Sequence, residues 1–276
     1  VIEAAKNYKM PALGIMDSQN LFAALEFSGY CKKAGIQPII GCEMLVKFAG
    51  NKQNASNLDI EKSLVKMPLI ATNDEGYKNL MYLVSHAFLN RQSGISPHVD
   101  FNLLKEKSSH LIALSGGVDG IIAKLLQSDQ EKTLGETIAE LSATFPNNFY
   151  IEITRHNTEI EAKLEEKFIE LAFKHNLPLV ATNDVYFLTR EMHEAQDILN
   201  CIGEGETLLA ENRKVNSPEQ FFKSQEQMEA LFADIPEALE NTVNIAKKCH
   251  VMAVDRKPTL PKFSNEKTFD EAEELR

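Results

Sequence analysis

Short apolar runs that end abruptly in a polar or charged residue recur along the chain. They are rich in leucine or β-branched residues and too apolar to be half-exposed antiparallel strands, so they are expected to be buried strands of a parallel sheet. The predicted strands cover residues 11–17, 38–43, 68–74, 111–117, 149–156 and 178–184.

Stretches with apolar residues at helical spacing lie between these runs, at residues 21–34, 76–89, 120–127, 133–144 and 159–176. The alternation of strand and helix predicts an α/β protein with a parallel sheet closed or covered by helices. Six such units indicate a TIM-like βα barrel with one strand fewer than the full set, its first strand missing from this sequence. A doubly wound open sheet is the alternative, weakened because no strand is followed by a GxGxxG turn.

The pattern changes after about residue 205, which divides the chain into three predicted segments. Residues 1–205 are expected to form the barrel, residues 206–258 a helical completion of it, and residues 259–276 a linker. Both ends of the sequence have a helix-like pattern without a cap, so the chain is expected to be part of a longer protein.

Smaller features refine this division. Ser217, followed by proline, predicts the start of a helix, and a second helix is expected over residues 236–249. Residues 49–62 are polar and predict an exposed insertion loop. Residues 66–74 and 176–184 are nearly identical, which two buried strands entering similar polar turns explain better than a true repeat does.

Charge and cysteine content narrow the class of function. Acidic residues outnumber basic ones by 40 to 29, the formal net charge is −11, and no basic stripe stands out. Tight nucleic-acid binding by this chain alone is therefore disfavoured, because it needs clustered lysine and arginine. No run approaches the roughly 20 apolar residues of a membrane span, so no membrane association is expected. The four cysteines lack CxxC spacing, which fits a reducing, cytoplasmic compartment.

Polar residues at the ends of the predicted strands are the candidates for chemistry. In a βα barrel the carboxyl ends of the strands meet at one mouth, where carboxylates and an imidazole could hold divalent metals that activate water. For any one of these residues, a turn-forming or helix-capping role explains the pattern better, and the case for a metal site depends on their number. The strand-end residues are Asp17, Glu43, Asp74, Gly117, His156 and Asp184.

Several longer blocks resemble a known family. The blocks are residues 17–22, 31–43, 76–80, 114–117, 179–185 and 232–246. In order and spacing they are similar to the N-terminal PHP domain of the bacterial replicative polymerases of the DNA polymerase III α type. The resemblance runs from residue 1 to about residue 263. It implies a distorted seven-stranded βα barrel that, in its intact form, carries a trinuclear metal cluster with phosphoesterase or nuclease activity.

The chain departs from the family's metal-binding pattern at most positions that matter. A His-x-His motif is expected ahead of Val1 and is not in this sequence. Ser18 and Tyr186 stand where the family has histidines, and Gly117 stands where it has a cysteine. A further histidine is expected at Phe88, while His86 is two residues away and would face another direction on a helix.

The residues that remain predict a degraded site. Glu43, His156 and Asp184 are weak candidate metal ligands, with Asp17 nearby, and together they are expected to hold no metal. We therefore expect no catalytic residue and no cofactor in this chain, whereas a parent polymerase would use Mg²⁺ in a palm domain after about residue 260.

The resemblance also implies partners. The expected partners are the polymerase body of the same chain and a separate proofreading exonuclease subunit, with DNA contacted only through the parent enzyme. Residual metal-dependent phosphoesterase activity is the main alternative. A free-standing α/β hydrolase of unrelated function is a third, which the ordered family blocks disfavour.

Overall fold

A curled, mixed sheet forms the centre of the protein in the computed structural model, which describes residues 1–48, 56–210, 213, 215–255 and 257–258. Its strand order is β1-β2-β3-β5-β6-β7, and β4 pairs with the end of β2, so the described sheet is a half-barrel with β1 and β7 at its edges. The strands are β1 (Ala12–Ser18), β2 (Gln37–Lys47), β3 (Val65–Ala71), β4 (Val99–Asp100), β5 (Leu111–Leu114), β6 (Phe149–Ile153) and β7 (Leu179–Ala181).

The direction of β3 corrects the prediction of an all-parallel sheet. β3 is antiparallel to both of its neighbours, β2 and β5, whereas the pairs β1–β2, β5–β6 and β6–β7 are parallel. Nearly every side chain of β3 is buried, so its sequence lacks the alternation that usually distinguishes an antiparallel strand. As a consequence, β3 begins at the edge of the sheet where its two antiparallel neighbours, β2 and β5, end.

Helices flank this sheet. They are α1 (Ile2–Asn7), α2 (Ala24–Ala34), α3 (Asn57–Ser63), α4 (Asp74–Leu89), α5 (Phe101–Glu106), α6 (Ile121–Gln127), α7 (Glu131–Thr144), α8 (Glu159–His175), α9 (His193–Glu204), α10 (Gln225–Leu231) and α11 (Pro236–Lys248). The five helices predicted before residue 180, and the one predicted from residue 236, are confirmed. None of the helices in the described part of the chain is long and apolar enough to cross a membrane.

Two local predictions are wrong. Ser217 does not start a helix: its hydroxyl donates to the carbonyl oxygen of His156 at 2.6 Å, and the next helix starts at Gln225. The proposed insertion loop contains α3, capped by Ser56, whose hydroxyl accepts from the backbone N–H of Asp59. Residues 49–55 of that loop, and the predicted linker 259–276, lie outside the described residues.

The two faces of the sheet differ in what covers them. Along β2, the alternate residues Ile40, Cys42, Met44 and Val46 are fully buried in the main core. The opposite face is covered in part by α11, whose Ile245 belongs to a second apolar cluster with residues of β3, β5, β6 and β7. Beyond this cluster, the same face becomes polar and forms a cleft.

The two nearly identical segments are not a structural repeat. Residues 66–74 form the antiparallel β3 and its turn, whereas residues 176–184 form the parallel β7 and its turn. The Asn73 side chain accepts from the N–H groups of Glu75 and Gly76 and so caps α4. The matching Asn183 side chain instead donates to the carbonyl oxygen of Phe221. The likeness therefore reflects a common demand for a buried strand that enters a polar turn.

Candidate functional site

A polar cleft of about 850 Å³ opens at the carboxyl ends of β1, β6 and β7. Of the residues singled out in the sequence, those that line it are Asp17, Ser18, Glu43, Gly117, His156, Asp184 and Tyr186. Four charged residues that the sequence did not single out, Lys66, Asp119, Glu152 and Glu161, line it as well. Seven residues predicted to share one site therefore do lie around one cavity.

Two predicted site residues lie elsewhere. Asp74 is the first residue of α4 and follows the far end of β3, because that strand runs in the reverse direction. Phe88 is 47% exposed near the end of α4 and is not among the residues that line the cleft. The prediction that Asp74 joins the other strand ends is thus wrong.

Glu43 lies within β2 rather than at its end, because that strand continues to Lys47. Glu43 pairs in register with Ser18 of β1, and the Ser18 hydroxyl donates to its Oε1 at 2.9 Å. Asp17 pairs with Cys42, and since successive side chains of a strand alternate, Asp17 faces the opposite side of the sheet from Glu43. Asp17 therefore borders the cleft without joining Glu43 as a matched ligand.

Lys66 brings a positive charge into the cleft. Its Nζ lies 3.4 Å from Oε1 of Glu43 and 3.2 Å from Oδ2 of Asp119. Burial alone would lower the pKa of this ammonium, but the charges of Glu43 and Asp119 outweigh it and raise the pKa. Lys66 thus stays protonated and shared between two carboxylates. The sequence did not single it out because a parallel β3 would have placed it at the other edge.

Glu152 is a deeply buried carboxyl group of the cleft, at 8% exposure. Burial raises its pKa to about 7, and the charges of Asp184 and Glu43 add to this, although the Thr182 hydroxyl donates to its Oε1 at 2.7 Å and opposes the rise. Its signal in the sequence was a single glutamate within an otherwise apolar strand.

The His156 ring is held by two acceptors. Its Nδ1 lies 2.8 Å from Oε1 of Glu161, and its Nε2 lies 3.1 Å from the carbonyl oxygen of Asn183. Burial would lower the pKa of His156, but the hydrogen bonds to Glu161 and Asn183 and the charge of Glu161 raise it. Since both partners only accept hydrogen bonds, the ring satisfies them best as a doubly protonated imidazolium, which has no lone pair for a metal.

Asp184 and Tyr186 lie in the loop after β7. Asp184 has a φ of +32°, and its Oδ2 accepts from Nε2 of Gln220 at 2.9 Å. The backbone N–H of Tyr186 donates to the carbonyl oxygen of the same Gln220 at 3.0 Å. Burial, followed by the charge of Asp184, raises the pKa of the Tyr186 phenol, so it remains neutral at physiological pH. This loop is therefore hydrogen-bonded to Gln220 through both Asp184 and Tyr186.

These residues do not fit the trinuclear metal cluster that the resemblance implied. Glu43 faces an ammonium, both nitrogens of His156 face acceptors, and Asp17 faces the opposite side of the sheet. Within the described ranges, no group of three or more histidine, cysteine, aspartate or glutamate side chains has the geometry to hold a metal ion.

The raised pKa of Glu152 predicts a pH-dependent stability. The folded protein holds this proton up to a pKa of about 7, whereas an unfolded chain releases it near ~4.3, so the free energy of unfolding should fall between these two pH values. Glu152→Gln removes that dependence. We expect the stability of the variant relative to the wild type to rise by up to about 3 kcal/mol across the window and to level off above it.

Urea unfolding at a series of pH values, monitored by circular dichroism, measures this difference. Glu166→Gln, the same change at an exposed position of α8, is the matched control for the loss of a charge. Parallel curves for the wild type and Glu152→Gln would show that this carboxyl does not hold a proton in the folded state.

Because both ring nitrogens of His156 are hydrogen-bonded to acceptors, we expect the ring to keep both protons at pH values above the usual pKa range of histidine. Glu161→Gln leaves a hydrogen-bonding side chain but removes the charge, so the pKa of His156 should fall. Imidazole ¹⁵N chemical shifts followed over pH report this directly. Glu159→Gln, an exposed change in the first turn of the same helix, should leave the His156 titration unchanged. Equal titration curves in all three proteins would contradict the proposed geometry.

Comparison with known proteins matches the sequence of the chain to one family. The profile of the PHP domain matches residues 1–156. The chain is 40% identical over 271 residues to a DNA polymerase III subunit alpha of Caulobacter vibrioides, which covers 98% of this chain and 23% of that protein. The same-named subunit of Rickettsia bellii is 38% identical over 264 residues, covering 96% and 22%.

One solved structure is also similar. It is a Bifidobacterium adolescentis protein provisionally assigned as a metal-dependent phosphoesterase, with a TM-score of 0.40 and 12% identity, covering 66% of this chain and 80% of that one. At this score the similarity carries no argument about function.

The extent of the sequence matches decides the assignment. The chain spans less than a quarter of the length of the curated relatives but is itself matched almost from end to end. More than half of it is covered by the family profile. The chain therefore belongs to the PHP domain family and matches the PHP domain of DNA polymerase III α subunits.

Proposed function

We propose that this chain is a non-catalytic PHP domain of a replicative DNA polymerase, in which it supports the polymerase body and docks the proofreading exonuclease subunit. The observation that carries the proposal is the pairing in the cleft: Glu43 and Asp119 share the Lys66 ammonium, and His156 is bound to Glu161. The match to polymerase α subunits over nearly the whole chain supports the role in replication.

The electrostatics of the cleft argue against phosphoester hydrolysis. A phosphoester is anionic, and an enzyme that cleaves it must surround the developing negative charge with metal ions or cationic donors. Here Glu43, Asp119 and Asp184 line the cavity, and the ammonium of Lys66 is already shared by two of these carboxylates. A phosphate group would therefore meet net repulsion.

The surface of α9 supports a scaffolding role. Leu199 is 60% and Ile202 71% exposed on this helix, and Leu209, just after it, is 92% exposed. Neighbouring exposed apolar side chains commonly mark a contact with another protein or domain. The relatives are more than four times as long as the matched segment, so a polymerase body is a fitting neighbour.

Polymerase chemistry belongs, in this proposal, to the remainder of the longer protein. Mg²⁺ and the contacts to DNA would be supplied there, in keeping with the net charge of −11 of this chain. The domain itself would need no cofactor.

The test combines binding and turnover. Size-exclusion chromatography with the exonuclease subunit should give a stoichiometric complex with the α subunit, and also with the PHP domain in isolation. The α subunit lacking residues 1–258 is the control and should elute separately from the exonuclease. Neither the α subunit's PHP domain nor the complex should hydrolyse a chromogenic phosphomonoester in Mn²⁺ or Zn²⁺.

Two results would contradict the proposal. The first is a complex that forms equally well without residues 1–258, which would place the docking surface elsewhere. The second is metal-dependent hydrolysis that is lost on Asp184→Ala, which would establish the alternative of a residual phosphoesterase.

A further inference from the structure

Among the described residues that line the cleft, the basic ones are Lys66 and His156. The Lys66 ammonium connects two separate parts of the chain. Glu43 comes from the middle of β2, and Asp119 from the 3-10 turn Gly117–Asp119 that follows β5. The ammonium lies within 3.4 Å of a carboxylate oxygen of each. The Lys66 side chain is only 25% exposed, so water screens these two contacts incompletely.

The turn that carries Asp119 is built against Lys66. Gly116 has a φ of +82°, and a Cβ atom placed on it would lie 2.2 Å from the carbonyl oxygen of Lys66. The turn can therefore approach the β3 backbone this closely only with glycine at that position. The same approach places the Asp119 carboxylate beside the Lys66 ammonium. The close backbone contact at Gly116 and the Lys66–Asp119 ion pair therefore favour the same position of the turn.

We propose that the Lys66 ammonium is a built-in counter-ion that holds the place of a divalent cation between Glu43 and Asp119. This inference rests on the proposed non-catalytic function, and it adds the reason why the acidic cleft is stable without a metal. The chain supplies the positive charge itself, so the carboxylates can approach one another in the folded state.

The chemistry of lysine suits this role. Its ammonium is a compact point charge on a long apolar stem, so the stem can pack along β3 while the charge reaches the carboxylates. A divalent ion could bind Glu43 and Asp119 only by displacing that ammonium. The displaced lysine would lose both partners in a partly buried position, which is unfavourable. Lys66 is therefore expected to compete with any divalent ion for the same oxygens.

A different result is expected if Lys66 only forms ordinary ion pairs at the rim of the cleft. Removal of such a pair would weaken the protein slightly and would create no new affinity. Removal of a true counter-ion leaves two or more carboxylates facing one another, which favours the uptake of a divalent cation from solution. Gain of metal binding on loss of a lysine therefore separates the two explanations.

The experiment is a Mn²⁺ titration of the purified protein by isothermal calorimetry, with melting temperature as a second readout. Lys66→Met keeps the stem and removes the charge, and we expect it to gain one saturable Mn²⁺ site, at least about tenfold tighter than any in the wild type. The double variant Lys66→Met/Glu43→Gln should lose that site again. Lys66→Arg, which keeps the charge, should not acquire it.

Lys105→Met is the matched control. Lys105 forms an ion pair with Glu140 at 3.2 Å on the helical surface, and neither residue lines the cleft. The variant should titrate like the wild type. If Lys66→Met is unfolded alone but folds when Mn²⁺ is added, the proposal is supported, because the ion has replaced the ammonium.

Three outcomes would overturn the proposal: Lys66→Met folds but gains no Mn²⁺ site, it stays unfolded with and without Mn²⁺, or the wild type binds Mn²⁺ as tightly as the variant. The first two leave the non-catalytic function standing, since they concern only the counter-ion. Phosphoester turnover by the wild type would instead refute the proposed function.

Discussion

The ion pairs of Lys66 with Glu43 and Asp119 depend on the direction of β3. Because this strand is antiparallel to β2, its first residues lie at the edge where β1, β6 and β7 end. In a fully parallel barrel that edge would receive the polar residues that follow β3, including Asp74. That edge holds Lys66 instead, and Asp74 lies at the opposite edge of the sheet. One reversed strand therefore sets the charge balance of the cleft.

The loops around the cleft are held by similar internal pairs. The Arg155 guanidinium, just after β6, binds Glu165 of α8 at 2.6 Å and Asp234, between α10 and α11, at 2.7 Å. The next residue, His156, binds Glu161, whose pKa falls to about 2: burial opposes that fall, but the hydrogen bonds from His156 and Thr154 outweigh it. Hydrogen bonds to charged groups stabilise by about 1.5–3 kcal/mol each when geometry is good. Such pairs tie the loops around the cleft to α8 and to the segment between α10 and α11.

The sequence predicted the positions of strands and of most cleft residues correctly, because a buried strand that ends in a polar turn leaves a clear pattern of residues. The apolar runs located every described strand except the two-residue β4, and Glu43, Gly117, His156 and Asp184 do lie around one cavity. Strand direction was not predictable, because β3 is buried on both faces and shows no alternation. Lys66 was missed for that reason, and Asp119 was missed because it lies in the turn beyond the end of β5. Asp17 was misplaced because its facing depends on register with β2, and Ser217 because its hydroxyl binds His156 instead of capping a helix.

Glu43, Asp119 and His156 already have partners within the chain, and we infer that the cleft therefore holds no metal. Elemental analysis of the purified protein, after incubation with Zn²⁺, Mn²⁺ and Mg²⁺ and then desalting, tests it most directly. We expect substoichiometric metal in every case. Retention of two or more metal ions per chain, lost on Asp184→Ala, would contradict this expectation and show that the cleft is a working metal site.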